Sequence, residues 1–176
     1  MGKRSNFARK KNDFYETWDR RALPALLSLV PTGTKFFEPC VGSGELVHML
    51  EDAGLECTGA CDIDPKNGYT QGDALDLTEE HVSGADCILT NPPWTRQILH
   101  PMIEHFSRLK PTFLLFDANW VWTKQAGVLL DSCVQIVATP RLQWMRNTRD
   151  TATDDTAWYH FDATHTGGPI LKGRVA

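Results

Sequence analysis

Short apolar runs alternate with helix-like stretches along most of this chain, and that alternation constrains its fold more than any other feature. Residues 34–38, 56–62, 86–90 and 112–117 are each rich in apolar or β-branched side chains and too short for helices, so they read as strands. Between them, residues 45–53 carry Leu46, Val47, Met49 and Leu50 on one helical face, with Gly54 placed to end the helix. Residues 95–109 form a second helix, kinked or interrupted near Pro101. A further helix is expected over 17–29, disturbed by Pro24, and another over 122–130. Residues 67–83 leave room for a short strand and about one helical turn. Residues 134–138 and 157–162 supply the last strands. Strands and helices in this order make a doubly wound α/β sheet. In such sheets ligands bind beyond the carboxyl ends of the strands, near the point where the strand order reverses.

The informative residues are therefore those that follow each strand. After the first comes Phe37-Glu38-Pro39-Cys40-Val41-Gly42-Ser43-Gly44. Gly42 and Gly44 let the backbone turn tightly, and the helix that starts at once offers unpaired N–H groups to an anion. Val47 stands where a dinucleotide fingerprint would have its third glycine. Glu38 at the strand end could hold a ligand's ammonium group. After the second strand comes Asp62-Ile63-Asp64-Pro65, twenty positions beyond Gly42, where a ribose-binding carboxylate belongs. Asp73 and Ala74 follow in a loop, with Asp73 able to accept from an adenine amine.

The sharpest feature is Asn91-Pro92-Pro93-Trp94, after the strand at 86–90. Two prolines stiffen the loop, and Pro92 biases Asn91 toward an extended backbone. The side-chain carbonyl of Asn91 and the backbone carbonyl of Pro92 are both acceptors. Two acceptors can grip an –NH₂ group by its two hydrogens, while Trp94 stacks on the base that carries it.

These blocks resemble the class I methyltransferases that act on amino groups of bases, over roughly residues 13–162. The resemblance implies a single-domain Rossmann-like fold: a mostly parallel seven-stranded sheet, an antiparallel last strand at Ala157-Trp158-Tyr159-His160-Phe161, and helices on both faces. It implies S-adenosyl-L-methionine as cofactor, held by Glu38, Pro39, Gly42, Gly44, Asp62, Ile63, Asp73, Ala74 and Asn91. Asp13-Phe14-Tyr15-Glu16-Thr17 is similar to a segment that closes over the cofactor's methionine part, so Phe14, Tyr15 and Thr17 join that set. Asn91, Pro92, Pro93 and Trp94 are the implied catalytic motif. The blocks are most similar to small solitary DNA adenine methyltransferases of prokaryotes and phages, which implies methylation of the exocyclic amine of adenine in DNA, in the cytoplasm of a bacterium or an infected host. The same motif is shared with enzymes that methylate guanine amines in ribosomal RNA and glutamine in proteins. RNA, cytosine in DNA and protein glutamine therefore stand as alternatives, with a non-catalytic nucleotide-binding module as a remote one.

Charge is divided along the chain. The first 21 residues carry seven basic and three acidic side chains, whereas the whole chain is at −4. A basic arm over 1–13, a methyltransferase domain over 14–165 and a tail over 166–176 follow. The arm suits phosphate contacts or plain solvation equally. Arg141, Arg146 and Arg149, interleaved with Trp144, are candidates for DNA contact or for a β-hairpin. Asn119 and Trp120, after the strand at 112–117, are candidates for the wall of the target-base pocket. No metal site is expected: the five cysteines and six histidines lack ligand spacing and read as reduced core and surface residues. No apolar run is long enough to span a bilayer, so no membrane contact is expected. A monomer or a homodimer is compatible with the sequence.

Overall fold

The computed structural model describes residues 15–146 and 154–175. Strands β1 (Lys35–Glu38), β2 (Glu56–Asp62), β3 (Thr70–Gln71), β4 (Cys87–Thr90), β5 (Thr112–Asp117), β6 (Cys133–Ala138), β7 (Thr156–Phe161) and β8 (Ile170–Lys172) form one sheet in the order β3-β2-β1-β4-β5-β7-β6-β8. β1 through β5 are mutually parallel. β7 runs antiparallel between β5 and β6, in register from Thr112↔Phe161 to Asp117↔Thr156.

The sheet thus has one strand more than the seven expected. β8 pairs parallel with β6 and lies in the stretch read as a tail. Gly167 and Gly168, both at positive φ, turn the chain back to reach it.

Period-two alternation divides each strand between two cores. Phe36, Cys87, Leu89, Phe113, Leu115, Val137 and Trp158 face α1 (Leu23–Leu27) and α2 (Glu45–Asp52). Phe37, Ile88, Leu114, Phe116, Ile136, Tyr159 and Phe161 face α3 (Arg96–Leu109), which buries Leu99, Met102, Ile103 and Phe106. α3 is not interrupted at Pro101. Proline there removes a single bond near the start of the helix, and the buried face of α3 outweighs that loss.

Two helical expectations are corrected. The first helix starts later than Thr17: Asp19 caps a 3-10 turn at Arg20–Ala22 by accepting from the Arg21 N–H at 3.1 Å, and α1 follows. Pro24 sits in the first turn of α1, where its missing N–H costs nothing. The helix expected over 122–130 is instead a series of 3-10 turns at Ala118–Trp122, Lys124–Ala126 and Leu130–Ser132. Extended backbone at Thr123 (φ −88, ψ 148) breaks it, and the buried Trp120, Ala126 and Leu129 do not recur at a helical period.

Candidate functional site

The strand order reverses between β1 and β4, and a cleft of about 480 Å³ opens at their carboxyl ends. That volume is in the range of small-ligand sites. Thr90, at the end of β4, donates through Oγ1 to Glu38 Oε1 at 3.4 Å and so bridges the reversal. Glu38 is 1% exposed, and its Oε2 has no partner among the described residues. Burial pushes its carboxyl well above the ordinary range, and the negative Asp62 adds to the effect. Glu38 is among the residues that line the cleft.

The loop after β1 is shaped by its glycines. Gly42 is at φ +54 and Gly44 at φ +89. A Cβ on Gly44 would also strike the Tyr69 ring. Asp62 ties this loop to β2: Oδ2 accepts from the Gly42 N–H at 2.9 Å and Oδ1 from the Asp64 N–H at 2.8 Å. Asp73 caps a 3-10 turn by accepting from the Leu75 N–H at 2.9 Å, and Ala74 packs beneath. Tyr15, Thr17, Glu38, Pro39, Gly42, Asp62, Ile63, Asp73, Ala74, Asn91 and Pro93 all line the cleft. Thr17 is 5% exposed and its Oγ1 lacks a partner among the described residues, a second buried polar atom at the cleft wall.

Asn91 is held at both ends of its side chain. Nδ2 donates to the Tyr15 carbonyl at 3.0 Å, and Oδ1 accepts from Trp94 Nε1 at 3.1 Å. Trp94 itself stands edge-on to Trp144, with ring centroids 5.7 Å apart. Trp144 belongs to a strap, residues 139–146, anchored by the fully buried Leu142 and by the Gln143 N–H, which donates to Asp19 Oδ2 at 2.8 Å.

Several expected residues fall elsewhere. Trp120 is 2% exposed, enclosed by the edges of Phe116, Tyr159 and Phe161, with Nε1 donating to His100 Nε2 at 3.0 Å; it is core, not pocket wall. Burial, with help from Arg96, keeps His100 below the usual histidine range, which suits a neutral acceptor. Asn119 is exposed and does not line the cleft. Arg141 pairs with Asp155 at 3.2 Å, and Arg146 pairs with Glu45 at 2.6 Å while lying over Trp18. Both arginines are committed to the protein, and no hairpin forms among the described residues of that stretch. Phe14, Arg149 and the basic arm lie outside the described residues.

Sequence reasoning passed over Cys40, Val41, Leu46, Leu75, Ile98 and Met102, which add apolar wall to the cleft. Ile98 and Met102 are recoverable only once the third and seventh residues of α3 are known to face it. Burial pushes the thiols of Cys57 and Cys61 up to about 11 and those of Cys87 and Cys133 to about 12. No metal-ligand cluster occurs among the described residues, and no described helix is long and apolar enough to cross a membrane.

No family model and no curated protein matches the chain. Solved structures do. A candidate RNA methyltransferase from Pyrococcus horikoshii superposes with a TM-score of 0.53 at 15% identity, covering 80% of this chain and 79% of its own. The methyltransferase subunit of a type I restriction-modification system from Streptococcus thermophilus gives 0.55 at 9% identity, over 88% of this chain. This chain spans 46% of that subunit's length. A TehB-like S-adenosylmethionine-dependent methyltransferase from Corynebacterium glutamicum gives 0.51 at 13% identity, covering 82% and 87% of the two chains. With the strand order and the switch-point cleft, these likenesses identify the fold: the chain adopts the class I S-adenosylmethionine-dependent methyltransferase fold.

Proposed function

We propose that the protein is an S-adenosylmethionine-dependent methyltransferase that modifies an exocyclic base amine, that of adenine in DNA. The observation that carries this reading is the meeting of three elements in one cleft: the unpartnered buried carboxyl of Glu38, the loop at Gly42 and Ser43 pinned by Asp62, and Asn91 and Pro93 of the Asn-Pro-Pro-Trp turn, whose Pro92 and Trp94, like Gly44, do not line it.

The cleft suits the cofactor. Glu38, once ionised, and the Thr17 hydroxyl are placed for its amino-acid part, Asp62 for the ribose hydroxyls, and Ile63, Asp73 and Ala74 for the adenine. Bound there, the cofactor supplies an electrophilic methyl group on a sulfonium, whose sulfur takes back the bonding pair. Asn91 and the Pro92 carbonyl would accept the two hydrogens of the target amine and draw its lone pair out of conjugation with the ring. That would ready the nitrogen to take the methyl group the cofactor would supply. Positive charge on nitrogen is stabilised by the same two carbonyls until one proton leaves to water. Holding nitrogen and carbon in line at about 3–3.5 Å supplies the remainder. A base in a duplex would first be flipped out, at a cost of a few kcal/mol.

The test is incubation with labelled cofactor and unmethylated DNA, followed by mass spectrometry of the digested nucleosides. Deoxyadenosine methylated on its amine is the expected product. Label recovered only in RNA or in protein would retain the cleft chemistry and reject the DNA substrate.

A further inference from the structure

Trp122 is 74% exposed, in the 3-10 turn that directly follows β5. That places it on the same edge of the sheet as Asn91, because β4 and β5 are parallel neighbours. Its turn is docked on the start of α3: Arg96 donates through Nη1 to Gln125 Oε1 at 3.2 Å, and the buried Trp120 meets His100. Arg96 lies two residues beyond Trp94. Trp122 therefore shares the sheet edge of the proposed target site and does not line the cleft.

The described residues hold twelve basic and twenty acidic side chains. The two segments that meet here, residues 91–103 and 118–130, contain Arg96 and Lys124, with the carboxylates Glu104, Asp117 and Asp131 just beyond their ends. Both cations are exposed, and neither makes an ion pair among the described residues. Arg96 is bonded to a neutral amide, which leaves its charge uncompensated. An exposed indole two residues before Lys124, in a turn docked on Arg96, fits an unpaired base flanked by phosphates.

We infer that Trp122, with Arg96 and Lys124, is a stacking platform for a base neighbouring the target in a single-stranded stretch of nucleic acid. The inference rests on the nucleic-acid substrate proposed above and adds the strandedness. A stacked duplex hides its base faces, so a flat exposed ring on the sheet edge of the site favours a strand whose bases are already open. An acidic body with two local cations likewise fits a few phosphates better than the two backbones of a duplex.

The test uses the full chain and fluorescently labelled oligonucleotides of about twelve nucleotides, as single-stranded DNA, its RNA counterpart and duplex DNA, with fluorescence anisotropy and cofactor binding read side by side. Single strands should bind more tightly than duplex. Trp122→Ala should weaken single-strand binding about tenfold, and Trp122→Phe should restore most of it. Lys124→Gln should lower the slope of log K against log salt by about 0.7. Cofactor binding should be the same in all three variants. The DNA and RNA arms show which strand the platform accepts. Unchanged affinity in Trp122→Ala, or tighter binding to duplex than to single strands, overturns the inference while nucleic-acid methylation stands. Absence of any oligonucleotide binding, with label going to protein or with self-association abolished by Trp122→Ala, rejects the nucleic-acid substrate and the platform together.

Discussion

The indole N–H of Trp94 donates to Asn91 Oδ1 at 3.1 Å, occupying the acceptor that the proposed mechanism assigns to the target amine. The edge-on contact with Trp144 holds the indole in that position. The carboxamide oxygen has two lone pairs, so the indole takes one of the positions an incoming amine would use and competes with it. Trp94→Phe keeps a ring to stack on the base and removes the competing donor. One hydrogen bond nets about 0.5–1.5 kcal/mol, so KM for the nucleic-acid substrate should fall roughly 2- to 10-fold with kcat little changed. Trp94→Ala, which also loses the stacking face, should raise KM instead. Steady-state kinetics on both variants separates the two effects.

Asn91→Ala removes one of two carbonyl acceptors from the reacting nitrogen. By analogy with other preorganised donors and acceptors, kcat should drop by about 10²–10³. Cofactor affinity, measured by calorimetry, should stay within a few-fold. Retained turnover would remove Asn91 from the mechanism.

Glu38, in the proposed role, should make cofactor binding depend on pH. Its raised pKa means the free protein holds a proton there at a pH where an exposed glutamate has none. A cationic ligand needs the carboxylate, so binding should release a proton, and affinity should climb with pH until the raised pKa is passed. Stability of the free protein follows the opposite course: the contribution from Glu38 is full below the unfolded pKa and is lost as pH rises through the folded one. Glu38→Gln should flatten both dependences, raise the melting temperature of the free protein at neutral pH, and weaken cofactor binding about tenfold or more. Calorimetry in buffers of different ionisation enthalpy counts the proton directly.

Asp19 ties the start of the first helical turns to the strap that carries Trp144. Burial works against its charge. The hydrogen bond from the Arg21 guanidinium, with those from the Gln143 and Arg21 N–H groups, outweighs burial and leaves its pKa lowered. Its contribution is present above the unfolded carboxylate pKa and is lost as pH falls through the lowered folded value. Asp19→Ala should cost about 1–3 kcal/mol through the unsatisfied N–H groups and the lost cap. Urea denaturation across the acid range measures both the loss and its pH dependence.

Much of the architecture was legible in the chain, because strand length, apolar alternation and turn residues are local properties. The four apolar runs became β1, β2, β4 and β5, and Gly42, Gly44 and the Asn91–Trp94 turn sit at strand ends because sequence order alone puts them there. The same locality explains the failures. Residues 122–130 read as a helix in sequence, yet the buried side chains of this stretch answer to a core shaped by β5, β7 and α3, and tertiary packing drew it into 3-10 turns. Trp120 and Trp122 look alike in sequence. At about 120° per residue a 3-10 turn sends them to different sides, one into the core and one into solvent. Arg141 and Arg146 read as free cations until folding set Asp155 and Glu45 beside them. The unpartnered oxygen of Glu38 and the bond from Asn91 Nδ2 to the Tyr15 carbonyl belong to the fold alone: both depend on which distant residues come together, and no local pattern records which polar atom will be left without a partner.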